Sequence, residues 1–272
     1  MPSKLIEREM RIANLPHIWC PGCSHGTIMR GLAQAIENCG LKREDTIIVS
    51  GIGCSGRAVG YMDFDTIHTT HGRALAFATG IKMAEPRLHV IVLTGDGDIS
   101  AIGGNHLIHA CRRNIDITCI VLNNNIYGMT GGQYSPTTPT GDYATTAPYG
   151  NIDRDFDIPL LARAAGATFS ARATAYGVNE AISIMEKAIR HKGFSLVEVV
   201  SVCPSYYGRK NRKGDAVRML QWQKENSVPY AAVGKMNEED IKGKIITGIF
   251  NDDDFPEYTE EYQKIIDRVR VK

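Results

Sequence analysis

Two oxygen-bearing residues, Asp96 and Asn124, each sit in a turn that closes an apolar run. Gly95-Asp96-Gly97-Asp98 follows HVIVLT (89–94), and Asn123-Asn124-Asn125 follows ITCIVL (117–122). The separation of 28 positions between Asp96 and Asn124 matches a strand, a crossover helix and a second parallel strand. Both side chains would then emerge at the carboxyl ends of adjacent strands, the edge where open α/β sheets bind ligands. Hard oxygen ligands there suit Mg2+ carrying a diphosphate, with the backbone carbonyl of Ile126 as a third ligand. Gly95 and Gly97 let the backbone approach a bulky anion, and a helix starting near Ile102 would aim its amino end at phosphate. The bland alternative is a hairpin turn and an ordinary strand exit; the paired apolar strands favour the cofactor site.

A second set of residues could hold a soft metal. Cys20 and Cys23 form WCPGCSHG, Cys54 lies in GIGCSGR and Cys203 in VVSVCPSYYG. Cys-x-x-Cys alone admits zinc, iron or a redox pair. Cys54 and Cys203 both follow expected strands, so they emerge at one sheet edge and could complete a four-thiolate site. Such a site without histidine fits structural zinc or a 4Fe-4S cluster, with a lean to iron–sulfur beside a cofactor site. Cys39, Cys111 and Cys119 fall in helical or strand patterns and are expected to pack as small hydrophobes.

Three further side chains could work in the same cleft. His71 of HTTHGR precedes an expected helix and could face a cofactor ring, and His68 could line the same cleft; satisfied structural imidazoles are the alternative. Arg57, three residues past Cys54, could clamp a substrate carboxylate or be a solvated surface arginine.

These residues need a scaffold of alternating elements. Helical spacing marks 27–37, a small-residue helix beginning near His71, and helices over 103–113, 157–166 and 176–193. Apolar strands are expected in 45–54, 89–94, 117–122 and 195–202, and 61–70 is read as loop. Strand alternating with helix predicts an α/β fold, a mostly parallel sheet flanked by helices. The polar loop 127–150 is of a length that is usually functional. Residues 1–16 read as a flexible lead-in, 17–205 as the working domain, and 206–272 as a surface arm or subunit contact with some helix.

Composition narrows the class. The 272 residues suffice for one large α/β domain, and a net charge of +1 gives no reason to invoke nucleic acid or an anionic membrane. No apolar stretch approaches the length of a bilayer span, and the amino-terminal segment lacks a signal-peptide core. The expectation is a cytoplasmic protein, in which the seven cysteines do not form a disulfide framework.

Together, WCPGC, GIGCS, HTTHGRALAFATGIK, GDGD, NNNIYGMTGGQ with SPTTP, and VCPSYY resemble the β subunit of 2-oxoacid:ferredoxin oxidoreductases, most closely the 2-oxoglutarate type. The likeness spans residues 17 to about 208. It implies a thiamine diphosphate-binding fold. It also implies one 4Fe-4S cluster on Cys20, Cys23, Cys54 and Cys203, and Mg2+ on Asp96, Asn124 and the Ile126 carbonyl. Ile52, Gly53, Cys54, Ser55, His71, Gly97, Asp98, Gly128 and Met129 would contact thiamine diphosphate or the 2-oxo acid. Two departures are visible. CSHG stands where CGDG or CGNG is commoner, and Gly131 stands where some relatives carry a lysine, which puts a coenzyme A contact at that position in doubt.

The activity so implied is oxidative decarboxylation of a 2-oxo acid, foremost 2-oxoglutarate, to the acyl-coenzyme A, CO2 and reduced ferredoxin, with the reverse direction open. A distal carboxylate would suit Arg57; pyruvate and branched-chain 2-oxo acids stay open. No glutamate candidate for activating the aminopyrimidine is found, so a separate α subunit is expected to complete the site. Two other readings compete. A non-redox thiamine carboligase would normally be a much longer chain and needs no four-cysteine site. A cofactor-free scaffold subunit would bind nothing at Asp96.

Overall fold

The apolar runs become strands because their alternate residues have two separate faces to fill. In the computed structural model, which describes residues 4–270, Ile91 and Leu93 enter one core while Val90 and Val92 enter another. Ile120 and Leu122 divide from Cys119 and Val121 in the same way. Burial on both faces is what a parallel sheet between helices requires.

The strands are β1 (Thr46–Ser50), β2 (Asp65–His68), β3 (His89–Gly95), β4 (Thr118–Asn123), β5 (Ile126–Tyr127), β6 (Gln133–Tyr134), β7 (Phe169–Thr174), β8 (Ser195–Val200), β9 (Ser227–Pro229) and β10 (Ile245–Asp252). Eight form one sheet in the order β2-β1-β3-β4-β8-β7-β10-β9, and β5 pairs with β6 separately. From β2 to β7 every pairing is parallel; β10 runs antiparallel to β7. The chain leaves β1 outward to β2 and returns to β3 on the other side of β1. That reversal opens a crevice at the carboxyl ends of β1 and β3.

Helices α1 (Lys4–Glu9), α2 (His25–Cys39), α3 (Ala74–Ala84), α4 (Gly104–Arg113), α5 (Ile158–Ala164), α6 (Val178–Arg190) and α7 (Ala216–Asn226) follow in chain order. On one face, Ile28, Leu32 and Ile36 of α2 pack with Ile184, Met185 and Ala188 of α6. The other face takes α3, α4 and α5 through Leu75, Leu107 and Ile158. Gly40 ends α2 in the left-handed conformation at φ 70°, its N–H returning to Glu37 and Ile36. The Asp157 side chain caps α5 by accepting from the Leu160 N–H at 3.0 Å. Cys111 and Cys119 are buried, and Cys39 packs at the edge of the core.

Several expectations need correction. Residues 65–68 form edge strand β2 rather than loop, and β7 carries too few large apolar residues to announce itself. The described part of the lead-in is packed down: Leu5 is buried, and Arg11 donates to the Val59 and Phe64 carbonyls at 3.1 and 2.7 Å. Residues after 206 are more than an arm, since β9 and β10 extend the main sheet. The helical turn after β3 begins at Asp96, earlier than Ile102, and passes through a wide turn at Asp98–Ile102 before α4. Among the described residues, no helix is long and apolar enough to cross a membrane.

One ion network ties the sheet together. Glu198 on β8 is buried and bonded to the Arg172 guanidinium of β7, which also meets Asp157 at 2.8 Å. Burial disfavours the Arg172 cation, but Glu198 and Asp157 outweigh it and hold the arginine charged. Removing Glu198 would leave the buried Arg172 cation with the half-exposed Asp157 as its carboxylate partner. Glu198→Ala is therefore expected to lower unfolding free energy by roughly 3–5 kcal/mol, read from urea denaturation; a loss under about 1 kcal/mol would show that the network contributes little.

Candidate active site

Apart from the Cys20–Cys23 loop, which precedes α2, the segments bearing candidate ligands leave the sheet at its carboxyl edge. Gly51–Ser55 follow β1, His71 follows β2, Gly95–Asp98 close β3, and Asn123–Asn125 close β4. The register sets Gly95 beside Leu122 and Asn123 beside Val200, so the ends of β3, β4 and β8 are neighbours. They surround a cleft of about 230 Å³. Its walls include Ile52, Gly53, Cys54, Ser55, His71, Asp96, Gly97, Asp98, Asn124, Ile126, Gly128 and Met129, all residues singled out from sequence.

Asp96 is 3% exposed. Its Oδ2 accepts from Ser135 Oγ at 2.5 Å and Thr137 Oγ1 at 2.8 Å. Burial pushes its carboxyl up to about 6, against the lowering effect of those hydroxyls and the Asn124 backbone N–H. One terminal atom of the Asn124 amide lies 2.7 Å from the Ile126 carbonyl and 3.3 Å from Asp96 Oδ1. With oxygen in that place, three acceptors converge with no proton among them, an arrangement that a hard cation satisfies. Turned over, the amide nitrogen would donate to both. The donor set and the exchangeable amide thus fit Mg2+.

The three asparagines divide the work. Asn123 Oδ1 accepts from the Asn125 N–H at 2.9 Å, which closes the turn, and Asn123 Nδ2 donates to Glu198 at 2.8 Å. Asn125 takes the left-handed backbone at φ 60° that asparagine tolerates. Only Asn124 reaches the cleft wall.

Asp98 lines the cleft, yet its carboxylate is spent on the protein. Oδ1 accepts from the Gly72 N–H at 2.7 Å, and Oδ2 from Thr94 Oγ1 at 2.7 Å. His71 Nδ1 lies 2.6 Å from Asp98 Oδ1, but out of line for a hydrogen bond, so that nitrogen has no partner. The His71 ring meets the Tyr127 ring edge-on at 5.9 Å, and the Tyr127 hydroxyl donates to the Gly97 carbonyl at 2.9 Å.

The four cysteines gather at one wall of this cleft. A side chain on Gly128 would place its Cβ 3.5 Å from Cys54 Sγ and 3.7 Å from Cys203 Sγ. Burial, then a lowering His25 N–H contact, then the charges of Cys54, Cys203 and Cys20 set the Cys23 thiol, which is pushed up to about 12. Cys54 is pushed up to about 11 by burial and by Cys203 and Cys20, while the Met129 N–H lowers it. All four are free thiols. Among the described residues, no three His, Cys, Asp or Glu side chains converge on a point where one metal ion would sit. An all-sulfur set with N–H groups at the sulfurs suits a cluster spanning the thiolates better than a single zinc bonded to all of them.

Arg57 departs from expectation: it is exposed, lies off the cleft wall, and its guanidinium has no hydrogen-bond or ion-pair partner among the described residues. Its place on the 3-10 turn Ser55–Gly60 turns it to solvent. His68 is likewise exposed and off the wall. Sequence reasoning missed His25, Leu122, Tyr127 and Thr130 in the wall, and Ser135 and Thr137 behind it. His25 is 1% exposed, and burial lowers its imidazole to about 4. The hydroxyl-rich SPTTP run was the one available signal for Ser135 and Thr137. At Gly131 and Gly132, φ values of 116° and 89° exclude an unstrained lysine.

The fold and site define a thiamine pyrophosphate-binding enzyme domain, and the family model described as thiamine pyrophosphate enzyme, C-terminal TPP binding domain, matches residues 51–199. The 2-oxoglutarate synthase subunit KorB of Methanocaldococcus jannaschii is 53% identical over 263 residues, 97% of each chain. That of Archaeoglobus fulgidus is 48% identical over 256 residues, 94% of this chain and 92% of the relative. A solved structure, 2-oxoglutarate:ferredoxin oxidoreductase from Magnetococcus marinus with 2-oxoglutarate, coenzyme A and succinyl-CoA bound, superposes with a TM-score of 0.87 at 32% identity. The match covers 99% of this chain and 92% of that one. The chain belongs to the 2-oxoglutarate synthase subunit KorB family, the β subunits of 2-oxoacid:ferredoxin oxidoreductases.

Gly51 tests the packing of this site. A Cβ there would lie 1.7 Å from Asp98 Oδ2, so Gly51→Ala must displace the carboxylate holding Gly72 and Thr94. The expected cost is about 1–3 kcal/mol in chemical denaturation; unchanged stability would show that Asp98 can move without consequence.

Proposed function

We propose that this chain is the cofactor-bearing β subunit of a 2-oxoglutarate:ferredoxin oxidoreductase. It would hold Mg2+–thiamine diphosphate and one 4Fe-4S cluster, and convert 2-oxoglutarate and coenzyme A to succinyl-CoA and CO2 with ferredoxin reduced. The observation that carries the reading is the position of Cys54. It lines the cleft that Asp96 and Asn124 enter and lies within charge range of Cys20, Cys23 and Cys203. A hard-oxygen site and a soft-sulfur site thus share one wall. The names of the relatives and the ligands bound to the Magnetococcus marinus enzyme support the substrates.

Asp96, Asn124 and the Ile126 carbonyl would hold Mg2+, and Cys20, Cys23, Cys54 and Cys203 the cluster. When bound, thiamine diphosphate supplies the nucleophile and electron sink for decarboxylation, and the cluster supplies one-electron transfer. The chain's own residues do the rest. Ile52–Ser55, Gly97, Gly128 and Met129 would frame the cofactor, and Asp98 holds the β1, β2 and β3 ends around it. His71, on the cleft wall with Nδ1 turned to Asp98, would contact the thiamine diphosphate or the 2-oxo acid. Ile52 and Met129, 42% and 47% exposed, form an apolar rim that would exclude water once covered. Among the described residues no glutamate lines the cleft; an α subunit would supply the pyrimidine-activating group. Arg57 lies off the cleft wall, so this reading gives it no part in holding the substrate.

Two measurements test it. Anaerobically purified protein is expected to carry about four irons per chain, with a reduced-cluster EPR signal after dithionite; zinc with no signal would return the cysteines to a structural clip. In the α–β complex, Asp96→Ala is expected to abolish Mg2+-dependent retention of thiamine diphosphate while leaving iron content intact. Retention at the native level would remove Asp96 from the metal site and favour a scaffold subunit.

A further inference from the structure

The long loop after β6 lies behind the cleft wall and reaches Asp96. Ser135 and Thr137 are 1% and 3% exposed, so no bulk water competes for their hydroxyls. Both bond the same oxygen, Asp96 Oδ2, at 2.5 and 2.8 Å, and they lie 3.0 Å from each other. Among the described residues no side-chain hydroxyl is directed at Oδ1, which faces the Asn124 amide. The carboxylate is therefore held asymmetrically, although rotation about its terminal torsion would otherwise exchange the two oxygens freely.

The same turn grips the second ligand segment. Thr137 Oγ1 lies 3.0 Å from Asn123 Oδ1, and Thr138 Oγ1 donates to the Asn125 carbonyl at 2.6 Å. The turn is closed internally, with the Ser135 N–H donating to Thr138 Oγ1 at 2.8 Å. It is pinned from outside by Asn151 Nδ2, which donates to the Thr138 carbonyl at 2.8 Å. One four-residue turn thus fastens both the Asp96 turn and the asparagine turn.

We propose that Ser135 and Thr137 are positioning residues for the metal: a hydroxyl clamp that occupies Asp96 Oδ2 and presents Oδ1 to Mg2+. The proposal rests on the assignment of Asp96 and Asn124 as Mg2+ ligands. A carboxylate merely satisfied in the core would not need its two donors stacked on one oxygen. Outer hydrogen bonds of this kind orient a ligating carboxylate and set the affinity of its metal.

The test uses the assembled α–β complex carrying Ser135→Ala or Thr137→Val, with Thr137→Ser as the conservative variant. Thiamine diphosphate retained after desalting is measured against free Mg2+, alongside cluster absorbance and melting temperature. Both clamp variants are expected to raise the Mg2+ concentration for half-retention about 10–100-fold. At saturating Mg2+, retention, cluster absorbance and melting temperature should match the native complex, and Thr137→Ser should restore the native Mg2+ dependence. A native Mg2+ curve in both clamp variants would overturn the proposal. So would loss of thiamine diphosphate that saturating Mg2+ does not restore in a complex that still melts normally, because the hydroxyls would then serve the cofactor directly. If the native complex retains thiamine diphosphate without any divalent metal, the metal-ligand assignment itself fails, and the clamp with it.

Discussion

Three strand ends hang on one buried carboxylate. Asp98 accepts from Gly72 beyond β2 and from Thr94 near the end of β3, and the Ile52 N–H beyond β1 lies 3.4 Å from Oδ1. Beyond their last paired residues, Ser50 and Leu93, β1 and β3 diverge, and without that tie their exits would be an unheld seam. With it, the seam becomes a cleft whose walls stay in register. The cost of burying a charge is offset because every donor around it would otherwise be a buried N–H or hydroxyl lacking a partner. Asp98 therefore acts on the site through architecture.

Asp96, two residues earlier, meets a different environment. Its desolvated carboxyl stands near 6, and it receives hydroxyls on one oxygen while the other faces a carbonyl and an amide. The two aspartates of one GDGD turn thus differ: Asp98 is taken up by backbone and hydroxyl donors at three strand ends, while Asp96 sits on the cleft wall. From Asp96 the polar contacts continue through Thr137 and Asn123 to Glu198 and Arg172. This chain of buried groups crosses three strands. In a low-dielectric interior such a network tolerates little rearrangement, which gives a ligand site a rigid backing.

The cysteine wall shows how sequence-distant segments meet. Cys20 and Cys23 lie before α2, Cys54 after β1 and Cys203 after β8. Their meeting depends on small local contacts: Trp19 Nε1 donates to the Cys54 carbonyl at 2.7 Å, and the Val202 N–H donates to Ser24 Oγ at 2.9 Å. The first fixes the leading loop over β1, and the second ties it to the end of β8. Gly22 fits because a Cβ there would strike Ala216 at 2.4 Å, so the loop also lies against the start of α7.

What the sequence alone determined is local in origin. Apolar runs ending in glycine or asparagine mark strand exits, and residue type dictates hard or soft ligation. That Asp96, Asn124 and Ile126 would meet at one sheet edge, with Cys54 beside them, was accordingly legible before any fold was known. Strands β2, β7 and β10 were not, because their short or mixed patterns become buried only when neighbouring strands and helices cover them. Side-chain direction was equally hidden. Arg57 and His71 are both polar residues in turns, yet one faces solvent and the other the cleft, according to how the 3-10 turn after β1 and the loop after β2 are anchored. Ser135 and Thr137 lie about forty positions from Asp96, and only the closure of the loop over the sheet edge brings their hydroxyls to its carboxylate. Tertiary structure decided these matters because orientation and long-range closure depend on register and packing, which residue type and spacing do not encode.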